Sequence, residues 1–320
     1  MSSIFSRLAG AVTASLCLLA APALAAVPLK WAPPALVNPV VITIGSGFFH
    51  ARVATNQDCV LRWPSTKHVG TVWIEGCHNL VSMGGYNTVP PAKLSSGAVD
   101  TSNNANSRIL YLSATTGVAH IEGLLGDASG GAMSDGIDIN APQATVEIEN
   151  VRIDGIYGYN DQFHADCIQP FGGVKALRVD HFTCNTAYQG LSIWPVSTSP
   201  VGWTADIENT NVTSIGTQIW GSHNNGGYLY WPCASYSCSN MALTSFKNVY
   251  LKPRPTNSFA MTVYSTSPGV LIHPPVVSGA SISFPQLPVI SGVTYGVPPV
   301  GDFVPVSVAG LHYVSTGYGL

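Results

Sequence analysis

The sequence predicts an all-β protein, and within that class a single-domain parallel β-helix closed by a Pro-rich extended tail. Three observations carry this. Charged residues make up only 9% of the chain and Gly accounts for 32 of its 320 residues. Val, Ile, Thr, Tyr and Asn recur throughout, while long apolar patterns of helical period do not. One strand-and-bend pattern also returns at a fixed interval along most of the chain.

Residues 1–25 come first, "MSSIFSRLAGAVTASLCLLAAPALA": one Arg, an apolar run and small residues in an A-L-A pattern. This reads as a secretory signal peptide, so a secreted or periplasmic mature protein starting near Ala26 is expected. The apolar run is too short for a permanent membrane span, and no later stretch approaches the roughly 20 apolar residues that a span needs. The formal net charge of -3 becomes one unit more negative when Arg7 leaves with the signal, and no Lys/Arg cluster occurs. A nucleic-acid partner therefore has no electrostatic footprint. Cys17 lies in the signal; Cys59, Cys77, Cys167, Cys184, Cys233 and Cys238 remain, an even number that in an exported chain predicts disulfides. Spacing does not choose among the pairings, although "CASYSC" at 233–238 would close a short local loop.

The body of the chain, 26–254, carries the repeat. "VWIEGCHNL" from Val72, "AHIEGLLG" from Ala119, "VEIENVRIDG" from Val146, "LRVDHFTCN" from Leu177, "ADIENTNVTS" from Ala205 and "TSFKNVYLK" from Thr244 align without gaps. Ile74, Ile121, Ile148, Val179, Ile207 and Phe246 form an apolar column with spacings of 47, 27, 31, 28 and 39. Glu75, Glu122, Glu149, Asp180, Glu208 and Lys247 follow and are expected as a solvated ladder. Gly76, Gly123, Asn150, His181, Asn209 and Asn248 come next, residue types that tolerate a left-handed bend. A rung of short strands cannot bury its own apolar face, so stacked rungs must share a core.

A second strand precedes each column: "ILYLS" at 109–113, "DGIDI" at 135–139, "DCIQP" at 166–170, "QGLSI" at 189–193 and "GYLYW" at 227–231. With Ile137, Ile168 and Leu191 inward, alternation places Tyr111, Asp138, Gln169 and Ser192 outward in one line. Asp135, Asp166 and Gln189 fall at the preceding turn. Three carboxylates thus gather on two rungs, with His164 close by and Tyr157, Tyr159, Phe163, Tyr188 and Trp194 around them. Carboxylates sharing a site push one another's pKa apart, as acid–base chemistry requires, and aromatic faces suit sugar rings. The stretch 153–164 is expected to form a wall over this site.

At these residues the chain resembles the pectin-lyase-like right-handed parallel β-helix superfamily, and more narrowly the polygalacturonase-type glycoside hydrolases. "SDGIDI" at 134–139 is similar to a family strand that carries a catalytic carboxylate, here Asp135. "ADCIQ" matches the next family motif at Asp166, with Ala165 where the family has its proton-donating aspartate. "YQGLSIW" resembles a third motif, with Gln189 in place of a His. The resemblance implies an exported carbohydrate-active enzyme that cleaves a polysaccharide in a groove on the β-helix. Hydrolysis would use Asp135 and Asp166 as the acid/base pair, tuned or positioned by Asp138 and His164. Gln169, Gln189, Tyr157, Tyr159, Tyr188, Trp194 and Arg178 would contact substrate. No cofactor and no metal residue enter this reading, and a monomer is expected.

Two alternatives stand beside it. One is a uronate lyase in which Arg178, Arg152, His164 or a Tyr removes the proton and Ca²⁺ rests on Asp135, Asp138, Asp166 and Gln169. The other is a non-catalytic glycan-binding or surface structural β-helix. From 255 to 320 the chain turns to Pro and Val ("HPPVVSG", "FPQLPV", "VPPVGDFVPV"), which central strands exclude; an extended tail packed on the helix is expected.

Overall fold

In a computed structural model the chain folds as a parallel β-helix. The structure describes residues 27–90, 96, 107–128, 135–158, 164–216, 227–232, 240–254, 276–278, 281–283 and 292–317. The leader at 1–25 and the expected Cys233–Cys238 pair therefore lie outside the described residues. Among these residues are nineteen strands, seventeen of them joined by parallel pairings, and none of the described segments is helical. No helix is long and apolar enough to cross a membrane.

Each coil contributes strands to three faces. The first face stacks Phe49–Arg52, Val72–Glu75, Leu110–Ser113, the start of Ile137–Ile156, the start of Ile168–Thr186, Leu191–Ser192 and Tyr230–Trp231. The second stacks Cys59–Arg62, Leu80–Met83, Val118–Glu122 and the middle of the two long strands, then Thr204–Ser214 and Leu243–Lys252. The third begins with His68–Val69, Tyr86–Thr88 and Leu125–Asp127, and continues on the far ends of the long strands.

Successive side chains alternate between lumen and surface, and the inward ones stack into ladders. Ile121, Ile148, Val179, Ile207 and Phe246 pair in register, as the repeat predicts, and each is buried. Burying a side chain of this size contributes about 1.5–3 kcal/mol. The corner beyond this column is left-handed at every rung: φ is 67° at Gly123, 54° at Asn150, 49° at His181, 41° at Asn209 and 58° at Asn248. Gly, Asn and His are present there because the left-handed bend penalises other L-residues.

Ile74 does not belong to that column. It pairs with Leu112 and Ala51 on the first face, whereas Ile121 pairs with Ser82. The stretches "VWIEG" and "HIEGL" encode the same strand followed by the same bend. Each coil has several such corners, and a local pattern cannot say which corner it occupies.

The acidic column also departs from expectation. Glu122, Glu149 and Asp180 are buried instead of solvated, because both ends of the described chain lie across them. The backbone amides of Lys30 and Trp31 donate to the Glu149 carboxylate at 2.6 and 3.1 Å, and the Lys30 ammonium reaches Asp206 and Glu208. From the other end, the Tyr313 hydroxyl donates to Glu122 at 2.9 Å and the Gly310 amide to the Gly123 carbonyl at 2.8 Å. Further along, Arg152 pairs with Asp302 and Thr183 accepts the Val304 amide.

Two disulfides cross the interior, Cys59–Cys77 and Cys167–Cys184, with all four cysteines fully buried. Such bonds suit an oxidising compartment. The second ties the first face to the third directly beneath Asp166.

Candidate active site

The second-strand alignment holds in register. Ile137 pairs with Leu110 and Ile168, Ile168 with Leu191, and Leu191 with Tyr230. Asp138 consequently lies between Tyr111 and Gln169, and Ser192 beside Trp231. Two residues before Ile137, Ile168 and Leu191, the residues Asp135, Asp166 and Gln189 occupy the neighbouring corner. The glycine inside "DGIDI" has a packing reason: a Cβ at Gly136 would stand 2.6 Å from the Cys167 carbonyl oxygen, so the rungs could not approach with any other residue there.

The three aspartates form one electrostatic unit, and all are buried, Asp138 and Asp166 completely. The Asp166 amide donates to Asp135 Oδ1 at 2.9 Å, which fixes one rung to the next. Arg108 is the cation of the group, its Nε 2.5 Å from Asp138 Oδ2 and 3.7 Å from Asp135 Oδ2. No well-aligned hydrogen bond reaches either carboxylate oxygen of Asp166 from the described residues, although the Ser192 hydroxyl favours its charged form. Gln189 is buried too, with its side-chain oxygen lacking a partner among those residues.

Burial raises the pKa of all three carboxyls. Arg108 opposes the rise at Asp135 and Asp138, and at Asp135 the Asp166 amide helps. Asp166 has neither, and it feels the charges of the other two, so its carboxyl is pushed well above the ordinary 3.8. Asp135 is raised to about 6, and Asp138, which also feels the Asp135 charge, to about 7.

The other sequence-predicted residues divide. Trp194 belongs here: its indole donates to Ser192 Oγ at 3.0 Å and its ring stacks with Trp231, centroids 6.0 Å apart. Gln169 is half-buried on the same line as Asp138. His164 is exposed and lies 6.2 Å, ring to ring, from Tyr188. Tyr188, like the three aspartates, is almost fully buried.

Tyr157 stands elsewhere, lining a cleft of about 440 Å³ with Tyr86, Asp127, Arg152 and Asp154. Arg178 also stands apart, on the second face, bonded to Glu147 at 2.8 Å and lying over the Trp31 ring. Arg152 is held by Asp154 and Asp302. Tyr159 and Phe163 lie outside the described residues. Among the described residues no three His, Cys, Asp or Glu side chains are grouped as metal ligands.

Arg108 is the residue that sequence reasoning missed. The alignment contained the signal: with Leu110 opposite Ile137, Arg108 falls in the turn column with Asp135. Ala165, where the resembling family places an aspartate, is buried in the core.

Fold and site together define a parallel β-helix protein with a buried triad of aspartates on its first face. Comparison of the chain with known protein families, with curated proteins and with solved structures finds no match.

Proposed function

We propose that the protein is an exported carbohydrate-active enzyme that hydrolyses a polysaccharide lying along the first face, with Asp166 as proton donor and Asp135 as its ionised partner. Asp138, paired with Arg108, sets the charge balance between them. The observation that carries this reading is three buried carboxyls on adjacent rungs, two of them beside Arg108 and the third, Asp166, without a cation among the described residues. Glycoside hydrolysis needs two carboxyls of different environment, one as acid and one as its ionised partner. The likeness of "SDGIDI" and "ADCIQ" to polygalacturonase-type motifs supports the same pair. With Ala165 in the core, the donor's role moves to Asp166.

The lyase alternative has less support. Arg178 and Arg152 are both engaged in ion pairs away from the triad. The test is incubation of the mature protein and of Asp166→Asn with a panel of neutral and acidic polysaccharides, following reducing ends and the absorbance of unsaturated products. Reducing ends without new absorbance, lost in the variant, are expected. Unsaturated products would establish elimination instead, and no product from any glycan would favour a binding or structural protein.

A further inference from the structure

Aromatic rings flank the triad on both sides. In register along the first face, His50 lies opposite Trp73 and Trp73 opposite Tyr111; the Asp138, Gln169 and Ser192 positions follow, and then Trp231. Adjacent strands are about 4.8 Å apart, so seven positions extend over roughly 29 Å. On one side of the carboxylates His50 stacks on Trp73, centroids 3.7 Å apart, and Trp73 lies 5.0 Å from Tyr111. On the other side Trp231 stacks with Trp194 and adjoins Tyr228 at 6.2 Å. All six rings are half-buried, fixed by neighbours yet open on part of their surface. The Trp73 and Tyr111 rings line a cleft of about 590 Å³, together with Ser113, Thr116, Asn140 and Gln143, side chains suited to hydroxyl groups.

Charge narrows the ligand. Among the described residues the cations along this stretch are Arg52, bonded to Glu75 at 2.9 Å, and Arg108, ion-paired with Asp138. His50 also spends its Nε2 on Glu75, at 2.8 Å. A polyuronate carries a carboxylate on every sugar and would meet three aspartates and a glutamate, with both arginines already paired. A neutral sugar presents its hydroxyls to Ser, Thr, Asn and Gln and its C–H groups to the open edges of the aromatic ladder, at no electrostatic cost.

We propose that the first face is a binding cleft for an uncharged, linear polysaccharide, which packs against the open edges of the Trp73 and Tyr111 rings on one side of the triad and of Trp231 and Trp194 on the other. This rests on the triad being the cleavage site, and it assigns the substrate class of that site.

The test uses the mature Asp166→Asn protein, which retains the cleft, in affinity electrophoresis and calorimetry. The probes are xyloglucan, mixed-linkage β-glucan, arabinan and galactan, with polygalacturonate as the acidic probe. Binding to at least one neutral glycan is expected, at least tenfold tighter than to polygalacturonate. Trp73→Ala and Trp231→Ala should each weaken it by tenfold or more, Trp73→Phe should restore most of it, and Trp31→Ala, on the second face, should leave it unchanged. Preference for polygalacturonate, binding unaffected by Trp73→Ala and Trp231→Ala in folded protein, or no binding to any probe would each overturn the inference. Cleavage of polygalacturonate that depends on Asp166 would overturn it while leaving the catalytic reading standing.

Discussion

Two stacks of buried acids run along this solenoid, and they are equipped differently. On the second face Glu122, Glu149 and Asp180 are met by donors: two backbone amides at Glu149, the Tyr313 hydroxyl at Glu122, and the His181 and Asn209 side chains at Asp180. On the first face Asp135 and Asp138 share the Arg108 guanidinium, the Asp166 amide reaches Asp135, and among the described residues no well-aligned hydrogen bond reaches the carboxylate oxygens of Asp138 or Asp166. The second-face stack is an anchor for both ends of the chain. The first-face stack is poorly compensated, and a fold does not retain such a cost for stability's sake. Even on the second face burial pushes Glu149 up to about 7 against the pull of its two amide donors. Asp180 falls below its ordinary value because its partners outweigh burial.

The sharpest way to break this comparison is catalytic. Asp166→Asn should lower kcat on a cleaved glycan by about 10²–10⁴-fold, the usual contribution of a positioned acid, while removal of the second-face acid in Glu149→Gln should leave it within a few-fold. Initial-rate measurements decide, and equal losses would erase the distinction. Next in size is the disulfide beneath Asp166. Replacing Cys167 and Cys184 together by Ala should cost about 3 kcal/mol in denaturant unfolding, for a bond closing 17 residues.

Glu149→Ala should then cost about 1 kcal/mol, because two part-buried backbone amides lose their charged acceptor. Faster proteolysis near Lys30 would report the released segment. Smallest is the opposite sign at Asp166. A carboxyl whose folded pKa is raised stabilises the fold fully below its unfolded value near 3.8, and that stability is lost as pH rises through the folded value. Asp166→Asn should therefore be near neutral for stability at pH 3 and stabilising at pH 8. Thermal unfolding at the two pH values checks it, and a destabilised variant at pH 8 would mark Asp166 as a structural partner.

Much of this architecture was legible in the chain. The Ile121 to Phe246 ladder, the left-handed corner from Gly123 to Asn248, and the line through Tyr111, Asp138 and Gln169 each follow from a two-residue alternation and a bend that only certain residues allow. Ile74 was misplaced because one local grammar serves several corners of a coil. Arg108 was overlooked, although its column was readable, because an arginine before an apolar strand resembles an ordinary flank.

What the sequence determined by itself is periodic and local: an all-β solenoid, its rung spacing, and three aspartates brought onto adjacent rungs. What only the tertiary structure decided is how much water and how many donors each acid keeps. That depends on chain segments more than a hundred residues away, such as Lys30 against Glu149 and Tyr313 against Glu122. The Cys59–Cys77 and Cys167–Cys184 pairings were settled the same way, by which cysteines the coil brings face to face across its lumen. Burial and pairing are properties of neighbours in space, and the repeat of a sequence specifies neighbours only along the ladder.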